Sequence, residues 1–242
     1  MPVLPFIASE RPVLASESLL SGERWPGVVL LCKCPALGYS KQRLAEQIGT
    51  ERAFIIAQHL LACALEDIHL WPGHTVLAPD HQQHLAWSRG LALASECLAQ
   101  GEGNLGERIN QLDAQLRHQG HQSLIYIGSD CPALGFADYK RVSYLLEEND
   151  SVLLSAEDGG VVLMASNLPW PDLCALPWST PQLGEALGEC CRQAGQRVAV
   201  AGQLFDIDHQ QDLRPLYALL AADARPARLA LRQALEQLGA SG

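Results

Sequence analysis

Ser123-Leu124-Ile125-Tyr126-Ile127-Gly128-Ser129-Asp130-Cys131-Pro132 is the stretch on which the fold turns. Residues 123–127 read as a strand, apolar after Ser123; the run stops at Gly-Ser-Asp, and a helical pattern follows over 136–148. A short apolar run without polar alternation reads as a strand covered on both faces. An aspartate directly after such a strand stands at the edge where open α/β sheets bind ligands.

The same grammar repeats on either side. Residues 28–32, Val-Val-Leu-Leu-Cys, form a second apolar run that ends in a Pro/Gly-containing loop over 33–40. Helical spacing follows over 51–66, a strand over 74–78, a helix over 81–89 and a weak strand over 90–95. Gly103 or Asn104 is placed to cap a helix over 105–118. Strands over 151–155 and 161–165 flank Glu157-Asp158-Gly159-Gly160, where Asp-Gly is a hairpin signal. A helix over 182–194, a strand over 197–201 and helices over 211–220 and 225–238 complete the pattern. Strands alternating with helices predict a three-layer α/β/α domain with a mixed, mostly parallel sheet. The hairpin supplies the antiparallel piece. With no repeat or linker, residues 27–242 read as one domain, and residues 1–26, with four prolines and no period, as an N-terminal extension.

Composition removes several classes. Gly 20 and Pro 14 are ordinary, and 48% apolar residues argue against disorder. A net charge of −10 gives no basic surface for a phosphate backbone, so no nucleic-acid partner is expected. The eight cysteines include no C-x-x-C, the N-terminus is a poor signal peptide, and no apolar stretch approaches membrane length. The expectation is a cytoplasmic protein with free thiols and no membrane span.

The candidate residues all follow strands. In Lys33-Cys34-Pro35-Ala36-Leu37-Gly38-Tyr39-Ser40-Lys41-Gln42-Arg43, Gly38 admits close backbone approach. Lys41 and Arg43 put positive charge at a helix start, an arrangement that suits a phosphate or a merely solvated basic turn. Asp130 reads as a carboxylate holding Mg²⁺ or Mn²⁺ against a diphosphate, or as a helix cap. In Asp206-Ile207-Asp208, alternation puts both carboxylates on one face, one as a second metal ligand and the other as a cap. Gly159 and Gly160 fit either a hairpin or a tight substrate loop. Gly103-Asn104-Leu105-Gly106-Glu107-Arg108 fits a capped helix start. His81 and His84 share a helix face with Asp80 nearby, but lack a further ligand. Cys131 adjoins Asp130 without an evident activating base. No G-x-S-x-G and no strand-borne G-x-G-x-x-G occurs, so hydrolase and dinucleotide-oxidoreductase readings lack their markers.

In order, C-P-A-L-G-Y-S-K-Q-R-L, G-E-G-N-L-G-E-R, I-Y-I-G-S-D-C-P-A-L, A-E-D-G-G-V-V-L, L-P-W-S-T and D-I-D-H-Q-Q-D-L resemble a bacterial glycosyltransferase-like family, formerly a domain of unknown function. Some of its members are arsenosugar-biosynthesis glycosyltransferases. The resemblance implies the GT-A fold of the nucleotide-diphospho-sugar transferases. It also implies a metal-dependent transferase acting on a nucleotide-sugar and a small acceptor. Nucleotidyl transfer from an NTP, as in small guanylyltransferases, is the alternative; a catalytically impaired nucleotide-binding or scaffold relative is the third. Carried across, Gly38, Lys41, Arg43 and Ser129 would face the nucleotide, and Asp130, Asp208 and Asp206 the metal. Asp158 is the candidate base. Gly159, Gly160, Trp178, Ser179 and Thr180 would lie on the substrate side. The chain departs from the family at Gln42, Val161, Val162 and His209.

Overall fold

The computed structural model describes residues 25–91 and 95–239. Strands β1 (Gly27–Cys32), β2 (Thr75–Pro79), β3 (Glu96–Cys97), β4 (Leu124–Ile127), β5 (Ser151–Ala156), β6 (Val161–Ser166) and β7 (Val198–Leu204) form a sheet in the order β3-β2-β1-β4-β6-β5-β7. All the pairings are parallel except those of β6, which runs antiparallel to both β4 and β5. β1 and β4 are therefore interior to the sheet, and the D-G-G turn makes the antiparallel hairpin, as expected.

Helices α1 (Gln42–Ile48), α2 (Thr50–Leu70), α3 (Leu85–Arg89), α4 (Leu105–His118), α5 (Phe136–Leu145), α6 (Leu183–Gln193), α7 (Gln210–Leu219) and α8 (Pro226–Gln237) cover the sheet. One face buries Val28, Leu30, Ile125, Ile127 and Val152 under α2 and α5; the other buries Val29, Val76, Tyr126 and Leu153 under α4 and α6. That double burial explains the unbroken apolar runs. A third cluster, including Leu44, Ile56, Leu60, Ile207, Leu216 and Leu231, packs α1, α7 and α8 onto the outer side of α2.

Local chemistry sets the helix starts. Asn104 and Glu107 form a capping box: Glu107 N–H donates to Asn104 Oδ1 at 3.0 Å and Asn104 N–H to Glu107 Oε2 at 2.7 Å. Gly49, at φ 91°, separates α1 from α2, and Pro226 opens α8 at a position that needs no N–H donor.

Two expectations are corrected. The strand expected over 90–95 lies at Glu96–Cys97, and residues 92–94 fall outside the described ones. α2 is, by length and composition, apolar enough to cross a membrane. Here it packs between the sheet and α8, and its Glu66 and Asp67 carboxylates pair with Arg228. Residues 1–24 of the expected extension lie outside the described residues. Its last two residues join the core: Trp25 packs edge-on against Trp71, whose indole N–H donates to the Pro26 carbonyl at 2.9 Å.

Candidate functional site

Lys41 begins at the backbone. It precedes α1 in the left-handed conformation, φ 51° and ψ 53°, which costs a side-chain-bearing residue about 1 kcal/mol. Ser179, at φ 62°, is the other such residue among the described non-glycines. Local strain of this kind tends to collect at functional sites. The left-handed turn sends the Lys41 side chain inward, where it is 8% exposed, with Nζ 3.0 Å from Asp130 Oδ1 and 3.0 Å from Asp208 Oδ1. Arg43 Nη1 lies 3.2 Å from Asp208 Oδ2. The loops after β1, β4 and β7 thus meet at one point on the carboxyl edge of the sheet.

The meeting depends on Ile207. β7 is at the sheet edge, far from β4 in strand order, so its following loop must cross back over the sheet. Ile207 is fully buried among α1, α2, α7 and α8, and its N–H donates to the Asp130 carbonyl at 3.0 Å. With Ile207 inward, Asp206 and Asp208 turn the other way, as alternation requires.

The expected cap among these aspartates is corrected. Asp212 caps α7, accepting from Asp208 N–H at 2.9 Å and His209 N–H at 2.6 Å. Asp138 caps α5 by accepting from Gly135 N–H at 3.1 Å. Asp130, Asp206 and Asp208 are therefore not engaged as helix caps.

The electrostatics follow from this crowding. Burial pushes the Asp206 carboxyl up to about 6, reinforced by Asp158 and Asp208. Burial would raise Asp208 too, but Lys41 outweighs it and the group is held below its ordinary value. Burial pulls Lys41 down; Asp130 and Asp208 more than offset it and hold the ammonium above its ordinary value. Four carboxylates with one buried ammonium make an oxygen-rich, cation-seeking set, the donor chemistry that suits a hard divalent ion.

The remaining candidates lie around this centre. Gly38, at φ 81°, is exposed in the turn closed by Tyr39 N–H to the Ala36 carbonyl. Ser129 Oγ lies 3.4 Å from Asp130 Oδ1. Asp158 is exposed in the hairpin turn, accepting from Gly160 N–H at 2.9 Å. The D-G-G and W-S-T turns are neighbours: Gly184 N–H donates to the Gly159 carbonyl at 2.9 Å. A Cβ on Gly159 would lie 2.0 Å from the Pro181 carbonyl oxygen, so close packing already requires that glycine. Trp178 donates to the Leu173 carbonyl at 3.0 Å and lies against Gly106, while Thr180 Oγ1 donates to the Pro177 carbonyl at 2.7 Å. His84 and Asp80 pair at 2.8 Å, with the His81 ring 6.1 Å from that of His84. All eight cysteines are free, and burial pushes Cys131 up to about 12, which disfavours its thiolate.

Sequence reasoning missed Gln47. Its Oε1 accepts from Gln210 N–H at 2.7 Å, and it lines a groove beside Asp208 with His209, Gln210, Gln211 and Arg214. The groove joins two helices distant in sequence, and no local pattern marks it.

Comparison with known proteins bears on the fold. The chain is similar to a protein from Desulfovibrio desulfuricans G20 described provisionally as a nucleotide-diphospho-sugar transferase: TM-score 0.77, 21% identity, over 88% of this chain and 97% of that one. It is also similar to a cytidylyltransferase from Leptospira borgpetersenii serovar Hardjo-bovis, with TM-score 0.53 and 11% identity over 89% and 95% of the two chains. These likenesses show the nucleotide-diphospho-sugar transferase fold. No curated protein matches the chain. Residues 61–180 match the family described as an uncharacterized protein conserved in bacteria (DUF2064). Lys41, Arg43, Asp206 and Asp208 lie outside that stretch and join it only in space. The resemblance drawn from the motif order is borne out by the match of residues 61–180 to DUF2064.

Proposed function

We propose that this protein is a transferase that binds a nucleotide-sugar together with Mg²⁺ or Mn²⁺ at the carboxyl edge of β1 and β4. The observation that carries this reading is the bridge from Lys41 Nζ to Asp130 and Asp208, 3.0 Å to each. One ammonium, held in a strained backbone, balances carboxylates gathered from two distant loops. Asp130 and Asp208, with Asp206 beside them, would hold the divalent cation. When bound, that ion supplies charge neutralisation for the diphosphate of the leaving nucleotide.

The chain's own residues do the rest. Lys41 exchanges its carboxylate partners for phosphate oxygens, and Arg43 adds a second charge at the start of α1. Gly38 and Ser129 border the phosphate path. Asp158, across from Asp206, is the candidate to accept a proton from an acceptor hydroxyl. The neighbouring D-G-G and W-S-T turns form the acceptor side. Eight free cysteines are consistent with a reducing compartment.

The likeness to a cytidylyltransferase favours a second reading, nucleotidyl transfer from an NTP. Two measurements decide. Thermal shifts with NTPs, NDPs and NDP-sugars, each with and without Mg²⁺ or Mn²⁺, should show metal-dependent stabilisation; a ligand at 100 times its Kd adds about 2.7 kcal/mol. Product analysis then separates the reactions: NDP release supports glycosyl transfer and pyrophosphate release supports nucleotidyl transfer. A folded protein without metal-dependent nucleotide affinity would leave a scaffold role in place of both.

A further inference from the structure

The opposite edge of the sheet carries a second polar cluster. His74 precedes β2, Glu96 opens β3 and His121 precedes β4. One donor atom from each of the three lies within 4.8 Å of the others. His74 Nε2 is 3.2 Å from Glu96 Oε2, and the His74 and His121 rings are 4.5 Å apart. β2 and β4 are not neighbours; β1 lies between them. β1 begins with Gly27, where an added Cβ would lie 3.1 Å from Leu124 and in ordinary contact, 3.9 Å, with His121 Nδ1.

We propose that His74, Glu96 and His121 form a Zn²⁺ site, separate from the nucleotide site and tying edge strand β3 to the centre of the sheet. Two imidazole nitrogens and one carboxylate oxygen are a recognised zinc set, leaving a fourth position for water. Bonds of about 2.0–2.1 Å place tetrahedral donors about 3.4 Å apart, which partly exposed side chains can reach from their present spacing by small rotations. The carboxylate is held from behind: Gln119 Nε2 donates to Glu96 Oε1 at 3.1 Å, leaving Oε2 toward His74. Imidazole donors favour Zn²⁺ over Mg²⁺, unlike the all-oxygen site at the other edge.

The test is calorimetric titration of the metal-stripped full chain with ZnCl₂. Wild type is expected to take up one tight equivalent that millimolar Mg²⁺ does not displace. His121→Ala and the near-isosteric Glu96→Gln should each weaken it at least tenfold, and Asp208→Asn should leave it unchanged. Co²⁺ in place of Zn²⁺ should give visible d–d bands without thiolate charge transfer, which separates this site from the free cysteines. Absence of a tight equivalent, equal affinity in wild type and both cluster variants, or a thiolate band would overturn the assignment. Loss of zinc binding in the cluster variants leaves Asp130, Asp208 and Lys41 intact, and the nucleotide site is tested separately with nucleotides.

Discussion

Ile207 donates its backbone N–H to the carbonyl of Asp130 at 3.0 Å, and this bond links the loop of edge strand β7 to that of central strand β4. The side chains on either side of Ile207 gain their meaning from it. Without this anchor, Asp208 would have no route to Lys41.

Asp130→Asn and Asp208→Asn should each keep the fold and lose most metal-dependent nucleotide affinity, at least tenfold. The swap keeps volume and removes the charge that holds a hard cation. Asp130 is 48% exposed, so the stability cost of its variant should stay within about 1 kcal/mol. Titration with UDP and GDP, with and without Mn²⁺, checks the pair; unchanged affinity in both variants would remove these carboxylates from the site.

Lys41 makes two claims separable by substitution. Lys41→Ala should weaken nucleoside diphosphates more than nucleosides, because the ammonium meets only phosphate. Lys41→Gly should weaken them equally, yet be more stable than Lys41→Ala by about 1 kcal/mol, because glycine accepts φ 51° without strain. Urea unfolding of the two variants reads the difference.

Arg228 has a fully buried side chain, paired with Asp67 at 2.7 Å and Glu66 at 3.0 Å. Arg225 reaches the same Asp67 at 2.8 Å. Arg228→Leu takes the ion-pair partner from Glu66 and one of two from Asp67, and should cost about 3–5 kcal/mol. The double variant Arg228→Leu with Asp67→Leu should recover part of that loss. Denaturant unfolding of wild type, both singles and the double gives the coupling directly.

Gly159→Ala should destabilise by about 1–3 kcal/mol, because the methyl would meet the Pro181 carbonyl and the backbone is at φ 91°. An unchanged melting midpoint would mean that the turn is not held by this packing.

Mild acidification should draw two opposing responses: the raised Asp206 carboxyl takes up its proton more readily in the native state and stabilises it as pH falls through about 6, while His59 acts the other way. Burial holds His59 in α2 below the ordinary imidazole value of 6.5. Below that pH the unfolded chain takes up the proton more readily than the native one, so the His59 contribution to ΔG of unfolding rises with pH through this window and is lost as pH drops. His59→Gln should remove the His59 loss, so that its urea midpoints fall less than those of wild type, or rise, between pH 7 and pH 5.

Much of this protein was decided within short stretches. The strands at Val28 and Leu124, the Asn104–Glu107 capping box and the antiparallel turn at Asp158-Gly159 are legible because period, capping and turn chemistry act over a few residues. The motif residues Lys41, Asp130 and Asp208 stood out because each follows a strand. Tertiary structure alone decided what those residues do to one another. Asp212 took the cap, Lys41 entered between two carboxylates through a left-handed turn, and His74 met His121 across β1. Arg228 shows the limit most plainly. It sits among exposed-looking helix positions in sequence, and becomes buried only because the Asp67 and Glu66 carboxylates, some 160 positions earlier, face it across the α2–α8 contact. Local patterns constrain backbone and burial; they carry no record of which distant charge will arrive to compensate another.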